Sequence, residues 1–268
     1  MCVSNKKAKG ETNMAEEKVV SVLPTKPHEP IVGMPRYFKM IVEGPSKVGK
    51  TTFAASFPDA VIIECEPGGA DNVACAGMVD VSKGRNPLEG IRRAIEELKT
   101  DTRFKTVILD TIDGAADFVS KDVCAKLGIE TIAEAPKKGR HGVQWEKYAN
   151  EVTGMVGALI ALRKNVIVLG HTKPATYDGE GDKRVMRNPE GLDIYGKAAR
   201  ILYARVDNIG HLKVINEGGQ LKRVLSFRGG LDCTRGSRHP ALSDKEIILP
   251  ERGGYDTFVA LFDNKEKK

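Results

Sequence analysis

The sequence predicts an α/β fold, with a mostly parallel central sheet flanked by helices and a C-terminal β-hairpin extension. Three observations carry this. Short apolar, β-rich runs alternate with segments whose apolar residues recur at helical spacing. The first run ends in a glycine-rich loop, Gly44-Pro-Ser-Lys-Val-Gly-Lys50-Thr51, that opens into a helix. Two later β-rich runs flank Asn216-Glu217-Gly218-Gly219, a hairpin turn signal.

The elements follow in order. Tyr37–Glu43 is apolar and β-rich and reads as a strand. Lys50–Ser56 starts a helix, and Ala60–Cys65 is the second strand. Leu88, Ile91, Ile95 and Leu98 recur at helical spacing. Thr106–Asp110 is the third strand, and Ile112, Ala115, Ala116, Val119 and Val123 mark the next helix. Trp145, Tyr148, Ala149, Val152, Met155, Val156, Leu159 and Ile160 fit a 3.6-residue period, predicting a helix over Gln144–Arg163. Val166–Gly170 is a fourth buried strand, and Asn208–Ile215 with Gln220–Phe227 forms the hairpin. Loops are expected at 66–87, 128–143, 172–191 and 228–245, lengths that are usually functional or mobile.

Residues 1–35 mix Lys, Glu, Ser and recurrent Pro without periodicity, the pattern of a disordered tail. Met14 is a second candidate start. One domain is expected over 36–263, its hairpin extension at about 207–230, with a charged tail at 264–268. The longest apolar runs, such as Val166–Leu169, are too short to span a bilayer, and the N-terminus has no secretion-signal core, so no membrane partner is expected. Five cysteines, an odd number with no CxxC pair, argue against a disulfide framework or a zinc site. A reducing cytoplasm is the expected location. The net charge of +6 is compatible with a polyanionic partner and does not establish one.

The glycine-rich loop matches G-x-x-x-x-G-K-[ST]. Its glycines let backbone N–H groups turn inward around phosphates, and the following helix points its positive end at the same anion. The predicted nucleotide contacts are Gly44, Pro45, Ser46, Lys47, Val48, Gly49, Lys50, Thr51 and Thr52. Lys50 is expected to reach the β- and γ-phosphates of ATP, and Thr51 to ligate Mg²⁺. Asp110 ends a buried strand, which suits a water-mediated Mg²⁺ contact. Asp113 is a lesser candidate for that role, or a carboxylate at a helix N-terminus. Glu64 and Glu66 close the second strand. Glu66 lies further past its end and is read as polarising the attacking water, the alternative being a solvated loop carboxylate. His171 ends the fourth strand, where it faces the γ-phosphate or is structural.

These four features, GPSKVGKT, IIECE, VILDT and VIVLGH, resemble in their order the core of RecA-like ATPases. In that family a glutamate two residues beyond the strand end activates water, and a polar residue ends the strand before a DNA-binding loop. Glu66 and His171 match those positions, although RecA itself has Gln at the second. A closer resemblance is to phage-encoded, core-only RecA-like proteins of the Sak single-strand annealing type. It is carried by GPSKVGKTTFAASFPDAVIIECEPGG, the Trp145–Tyr148 helix entry, NVIVLGH, IYGKAARILYARV and the late segment ending CTRGSR, across about Tyr37 to Phe262. This resemblance implies DNA-stimulated ATP hydrolysis and action on single-stranded DNA in phage recombination. It also implies a homo-oligomeric filament or ring, a single-strand DNA-binding protein as a further partner, and the cytoplasm of a bacterial host.

In a RecA-like core, Lys137, Lys138 and Arg140 fall near the first DNA-binding loop. Lys173, Tyr177, Lys183, Arg184 and Arg187 fall in the second. The second loop also holds Asp178, Glu180, Asp182 and Glu190, so its formal charge is zero and it reads equally as a solvated loop. Tyr177 is the aromatic that can stack on a base there. Residues 211–238 are more basic and read as a DNA contact, as a plain surface strand with snorkelling arginines, or as the source of a finger reaching a neighbouring subunit's γ-phosphate, for which Arg223 and Arg228 are the candidates. Two other classes stay open. A P-loop small-molecule or nucleotide kinase usually lacks the acidic strand at Ala60–Glu66. A nucleotide-gated DNA-binding module with negligible hydrolysis would have less use for Glu66 and His171.

Overall fold

The computed structural model describes residues 27, 31, 33–134, 136, 141–178 and 185–263. The expected tails lie outside these residues except at positions 27, 31 and 33–35. The chain builds β1 (Lys39–Glu43), α1 (Lys50–Ala55), β2 (Ala60–Glu64), β3 (Gly77–Asp80), α2 (Pro87–Leu98), β4 (Thr106–Asp110), α3 (Ile112–Leu127), α4 (Val143–Ile160) and β5 (Asn165–Gly170). Four short strands follow: β6 (Thr172–Lys173), β7 (Thr176–Asp178), β8 (Val185–Asn188) and β9 (Gly191–Leu192). Then come α5 (Gly196–Arg205), β10 (Asn208–Glu217), β11 (Gln220–Ser226), β12 (Gly236–Ser237), β13 (Glu246–Leu249) and α6 (Tyr255–Asp263).

The main sheet has the order β13-β11-β10-β1-β5-β4-β2-β3, with β12 also paired to β10. From β10 to β3 every pairing is parallel, while β11, β12 and β13 join antiparallel. Alternating residues of each strand feed two separate cores. Ile41, Ile63, Leu109 and Val168 face α2 to α5, whereas Met40, Ile62, Ile108 and Ile167 face α1 and α6. A parallel strand between two helical layers must be apolar on both faces, and the fully buried TVILD and AVIIE meet that demand.

Local chemistry sets the helix ends. Asn86 caps α2 by accepting the Glu89 N–H at 3.2 Å, and Pro87 supplies a first residue that needs no hydrogen-bond acceptor. Thr111 caps α3 from its hydroxyl, and Gly128 ends that helix at φ 63°. The start of α1 is different: Gly49 precedes it at φ 93° and no side chain caps it. Its first N–H groups therefore face outward without a side-chain acceptor.

The sequence reading placed the hairpin at about 207–230 as an extension. The structure makes it a continuation of the sheet, because β10 pairs directly with β1. The expected loops at 66–87, 172–191 and 228–245 contain β3, β6 to β9 and β12. The helix expected over 144–163 is α4, which stops at Ile160. α5, β13 and α6 were not anticipated. Among the described residues no helix is long and apolar enough to cross a membrane.

α6 packs through Phe258, which is fully buried among Phe38, Phe53, Phe57 and Phe262 at centroid distances of 5.3–5.9 Å. Edge-to-face packing of this kind adds to simple area burial. Phe258→Ala is expected to cost about 3–5 kcal/mol of stability, read as a lower denaturant midpoint at unchanged slope.

Candidate functional site

The parallel register brings the motif residues to one edge of the sheet. Glu43 is level with Gly170, Leu169 with Asp110, and Asp110 with Glu64. The phosphate loop leaves β1 and begins with a hydrogen bond from Gly44 N–H to the Gly170 carbonyl at 3.2 Å. Lys50 is buried, and its ammonium donates to the carbonyls of Gly44 at 2.9 Å and Pro45 at 2.8 Å. The Thr51 hydroxyl donates to Asp110 Oδ2 at 2.7 Å, joining α1 to the end of β4. Lys47 stands at the loop tip with φ 64°.

Beyond Asp110 the chain passes a cis peptide bond into Thr111. The Thr111 hydroxyl donates to Glu66 Oε1 at 2.5 Å. Glu66 is partly exposed and lies 3.5 Å from His171 Nδ1. The same nitrogen is 2.7 Å from Asp113 Oδ2, and the His171 backbone N–H donates to Asp113 Oδ1 at 2.9 Å. A carboxylate only accepts, so Nδ1 carries the hydrogen. Asp113 is thus both a first-turn carboxylate of α3 and the clamp that orients His171. Glu66, Asp113 and His171 present ligating atoms within 4.8 Å of one another.

Glu64 behaves differently. It is fully buried, and its Oε1 accepts the Ala70 N–H at 2.8 Å, which fixes the loop after β2. Geometry therefore separates the two acids: Glu66 is partly exposed beside Thr111 and His171, and Glu64 supports the loop.

The charges at this edge are strained by burial. Burial lowers the Lys50 ammonium below its ordinary range, against the attraction of Asp113, Asp110 and Glu66. Burial raises the Asp110 carboxyl, against the Thr51 hydroxyl and the Lys50 charge. Glu66 is raised for the same first reason, with the Thr111 hydroxyl opposing and the Asp113 charge adding. For Asp113 burial also disfavours the charge, but the hydrogen bonds from His171 outweigh it and hold the carboxyl low.

β10 and β11 rise past the end of β1, because His211 is level with Glu43 and the strands continue beyond it. This hairpin forms a wall against the phosphate loop. A Cβ at Gly44 would collide with the Leu212 carbonyl, and one at Gly49 with the Arg223 guanidinium. Arg223, read from the sequence as a candidate finger toward a neighbouring subunit, lies against its own phosphate loop and donates to the Pro250 carbonyl. Between loop and wall is a cleft of about 490 Å³, lined by Lys47, Val48, Val214, Leu221 and Leu249. Leu221 and Val214 are exposed apolar side chains there. Sequence reasoning missed this wall, since β-rich alternation alone does not say which strand it joins.

The remaining expected positions scatter. Arg228 is exposed, with contacts to the Asp244 carbonyl at 3.3 Å and Glu246 at 3.6 Å. Lys173 donates to the Ile194 carbonyl at 2.7 Å. Arg187 lies 3.7 Å from Asp178 across the β7–β8 ribbon, which also carries half-exposed Tyr177. Lys137, Lys138, Arg140, Lys183 and Arg184 lie outside the described residues.

Comparison with known proteins gives three kinds of match. A family model described as "AAA domain" matches residues 36–239. The SPbeta prophage-derived uncharacterized protein YorG of Bacillus subtilis (strain 168) is 30% identical over 92 residues, which is 33% of this chain and 27% of that protein. The match thus spans little more than a quarter of that relative's length. Among solved structures, the KaiC-like protein PH0186 of Pyrococcus horikoshii OT3 matches at TM-score 0.43 and 16% identity, covering 80% of this chain and 85% of its own. The flagellar accessory protein FlaH of Methanocaldococcus jannaschii matches at TM-score 0.38 and 12% identity, covering 79% and 84%.

Gly49→Ala is expected to destabilise the fold by about 1–2 kcal/mol through its left-handed backbone alone, and further through the collision with Arg223. A denaturation cycle with Arg223→Ala checks this: the double variant should recover the collision part and keep the backbone part.

Proposed function

This chain belongs to the AAA domain family, and from that premise we propose that it is an ATPase acting on single-stranded DNA. The observation that carries the ATPase reading is the joining of Lys50, Thr51, Asp110, Glu66 and His171 along the level ends of β1, β4, β2 and β5. The uncapped start of α1 and the inward Lys50 ammonium receive the phosphates. Thr51 and Asp110 supply hard oxygen donors, which fit Mg²⁺. When bound, that ion neutralises charge on the phosphates.

Glu66 takes a proton from the attacking water. Its raised affinity for protons suits a base, and the Thr111 hydroxyl fixes its orientation. His171, clamped by Asp113, sits beside Glu66 and senses the terminal phosphate. The base of the nucleotide would rest in the cleft on Val214, Leu221 and Leu249, beside Lys47 and Val48 of the phosphate loop.

The DNA reading rests on the prophage origin of the partial relative, the motif resemblance to phage annealing proteins, and the ribbon carrying Tyr177 and Arg187. In this reading the chain forms a homo-oligomer on single-stranded DNA, alongside a single-strand DNA-binding protein. Arg228, exposed, remains the candidate to reach a neighbouring subunit.

Single-turnover ATP hydrolysis with and without single-stranded DNA tests both layers. Lys50→Ala should abolish turnover, and native-rate hydrolysis by that variant would sink the site assignment. Glu66→Gln should keep ATP affinity and lose about 10²–10⁴ in rate, whereas Glu64→Gln should be far milder; equal losses would mean that the wrong carboxylate was chosen. DNA should raise turnover, with an affinity that falls steeply as salt rises.

The base cleft has its own check. Leu221→Asp should weaken ATP binding by about tenfold or more, leaving inorganic tripolyphosphate affinity unchanged in calorimetry.

A further inference from the structure

We propose that Glu43 and Tyr203 form a second tether between the phosphate loop and the β6–β9 ribbon, distinct from His171 and resting on the ATPase reading above. Glu43 is the last residue of β1, immediately before Gly44, and is fully buried. Its Oε2 accepts the Tyr203 hydroxyl at 2.6 Å. The same hydroxyl accepts the Leu192 N–H at 2.6 Å. One phenol on α5 therefore joins the root of the phosphate loop to β9. The fit is close, since a Cβ at Gly191 would lie 2.7 Å from that oxygen.

The two strands of the ribbon are held separately. β6 starts directly after His171, whose partner is Asp113 beside Glu66. β9 pairs with β6 and is held by Tyr203. The β7–β8 ribbon, with Tyr177 and Arg187, is inserted between them in the chain. Both of its attachments thus end on residues that adjoin the phosphate site.

The network around Glu43 is incompletely paired. Glu43 Oε1, His211 Nδ1 and Arg235 Nε are buried without hydrogen-bond partners. Buried polar atoms are normally satisfied, so an arrangement that pairs them is a competing state. Arg235 defines that state. Its Nη2 pairs with Glu190, just before β9, while its charge acts on the Glu43 carboxylate. Turning Arg235 from Glu190 to Glu43 gives partners to Nε and Oε1 together and frees the base of the ribbon. This is a discrete two-position element rather than a continuous deformation. A phosphate loop reshaped by its ligand shifts Glu43 and biases the choice.

Hydrogen–deuterium exchange on the full chain, with and without MgAMP-PNP, tests the tether. In the wild type, amides in 44–52 and in 185–192 should both change protection on nucleotide addition. Tyr203→Phe keeps the ring and removes the hydroxyl: the response in 44–52 should persist, while that in 185–192 should fall about fivefold or more. Glu43→Gln keeps an acceptor for Tyr203 and removes the charge that draws Arg235, so it too should lose the ribbon response. It also decides the matter if Tyr203→Phe does not fold. A ribbon response unchanged in the folded variants would overturn the proposal, as would a wild-type ribbon silent while 44–52 responds. Silence at both places in the wild type would overturn the nucleotide-binding reading itself.

Discussion

Parallel pairing of β1, β5, β4 and β2 in level register is the constraint on which the rest depends. Each strand is short, and each contributes its chemical group within two residues of its end. A slip of one residue in β4 would swing Asp110 to the other face of the sheet and part it from Thr51. Between the strand ends both faces are apolar, so a slip would drag a charged end residue into one of the two cores. The polar groups are thereby confined to the strand ends, where the loops begin.

That confinement creates an electrostatic tension. Lys50, Asp110, Glu66 and Asp113 share a small, poorly hydrated edge, and burial disfavours the charged forms of all four. Hydrogen bonds from Thr51, Thr111 and His171 relieve part of this cost. In the ATPase proposed above, the phosphates would meet Lys50 and their counter-cation Asp110, relieving more of it.

The site was more legible in the sequence than the surroundings that shape it. Gly44–Thr51, Asp110 and the strand-end acids carry fixed residue types at fixed spacing, so they stand out from one chain alone. β4 was read to the residue, because TVILD is apolar throughout and ends in a charge. β3 escaped notice, since GMVD is a four-residue edge strand whose Met78 and Val79 are half-exposed. α5 was hidden by a narrow buried stripe of Ala198, Ala199 and Leu202. The clamp of Asp113 on His171, the Tyr203 link and the place of Arg223 are contacts between distant segments. No local pattern encodes them. Arg223 shows the limit well: its type and basic neighbourhood were visible, but which loop it touches depends on β10 joining β1.

The aromatic cluster under α1 has a consequence for the order of assembly on the ribosome. Phe53 of α1 packs on Phe258, and Ser56 Oγ accepts the Tyr255 N–H from 199 positions along the chain. The wall beside the phosphate loop likewise comes from β10 and β11. A nascent chain that has emerged only through His171 owns every motif residue yet lacks one side of the cleft and the floor beneath α1. Such a chain holds an unfinished site in which Phe38, Phe53 and Phe57 lack the Phe258 ring that covers them. The wall and floor around the phosphate loop are therefore completed only near the end of translation, long after the motif itself has been made.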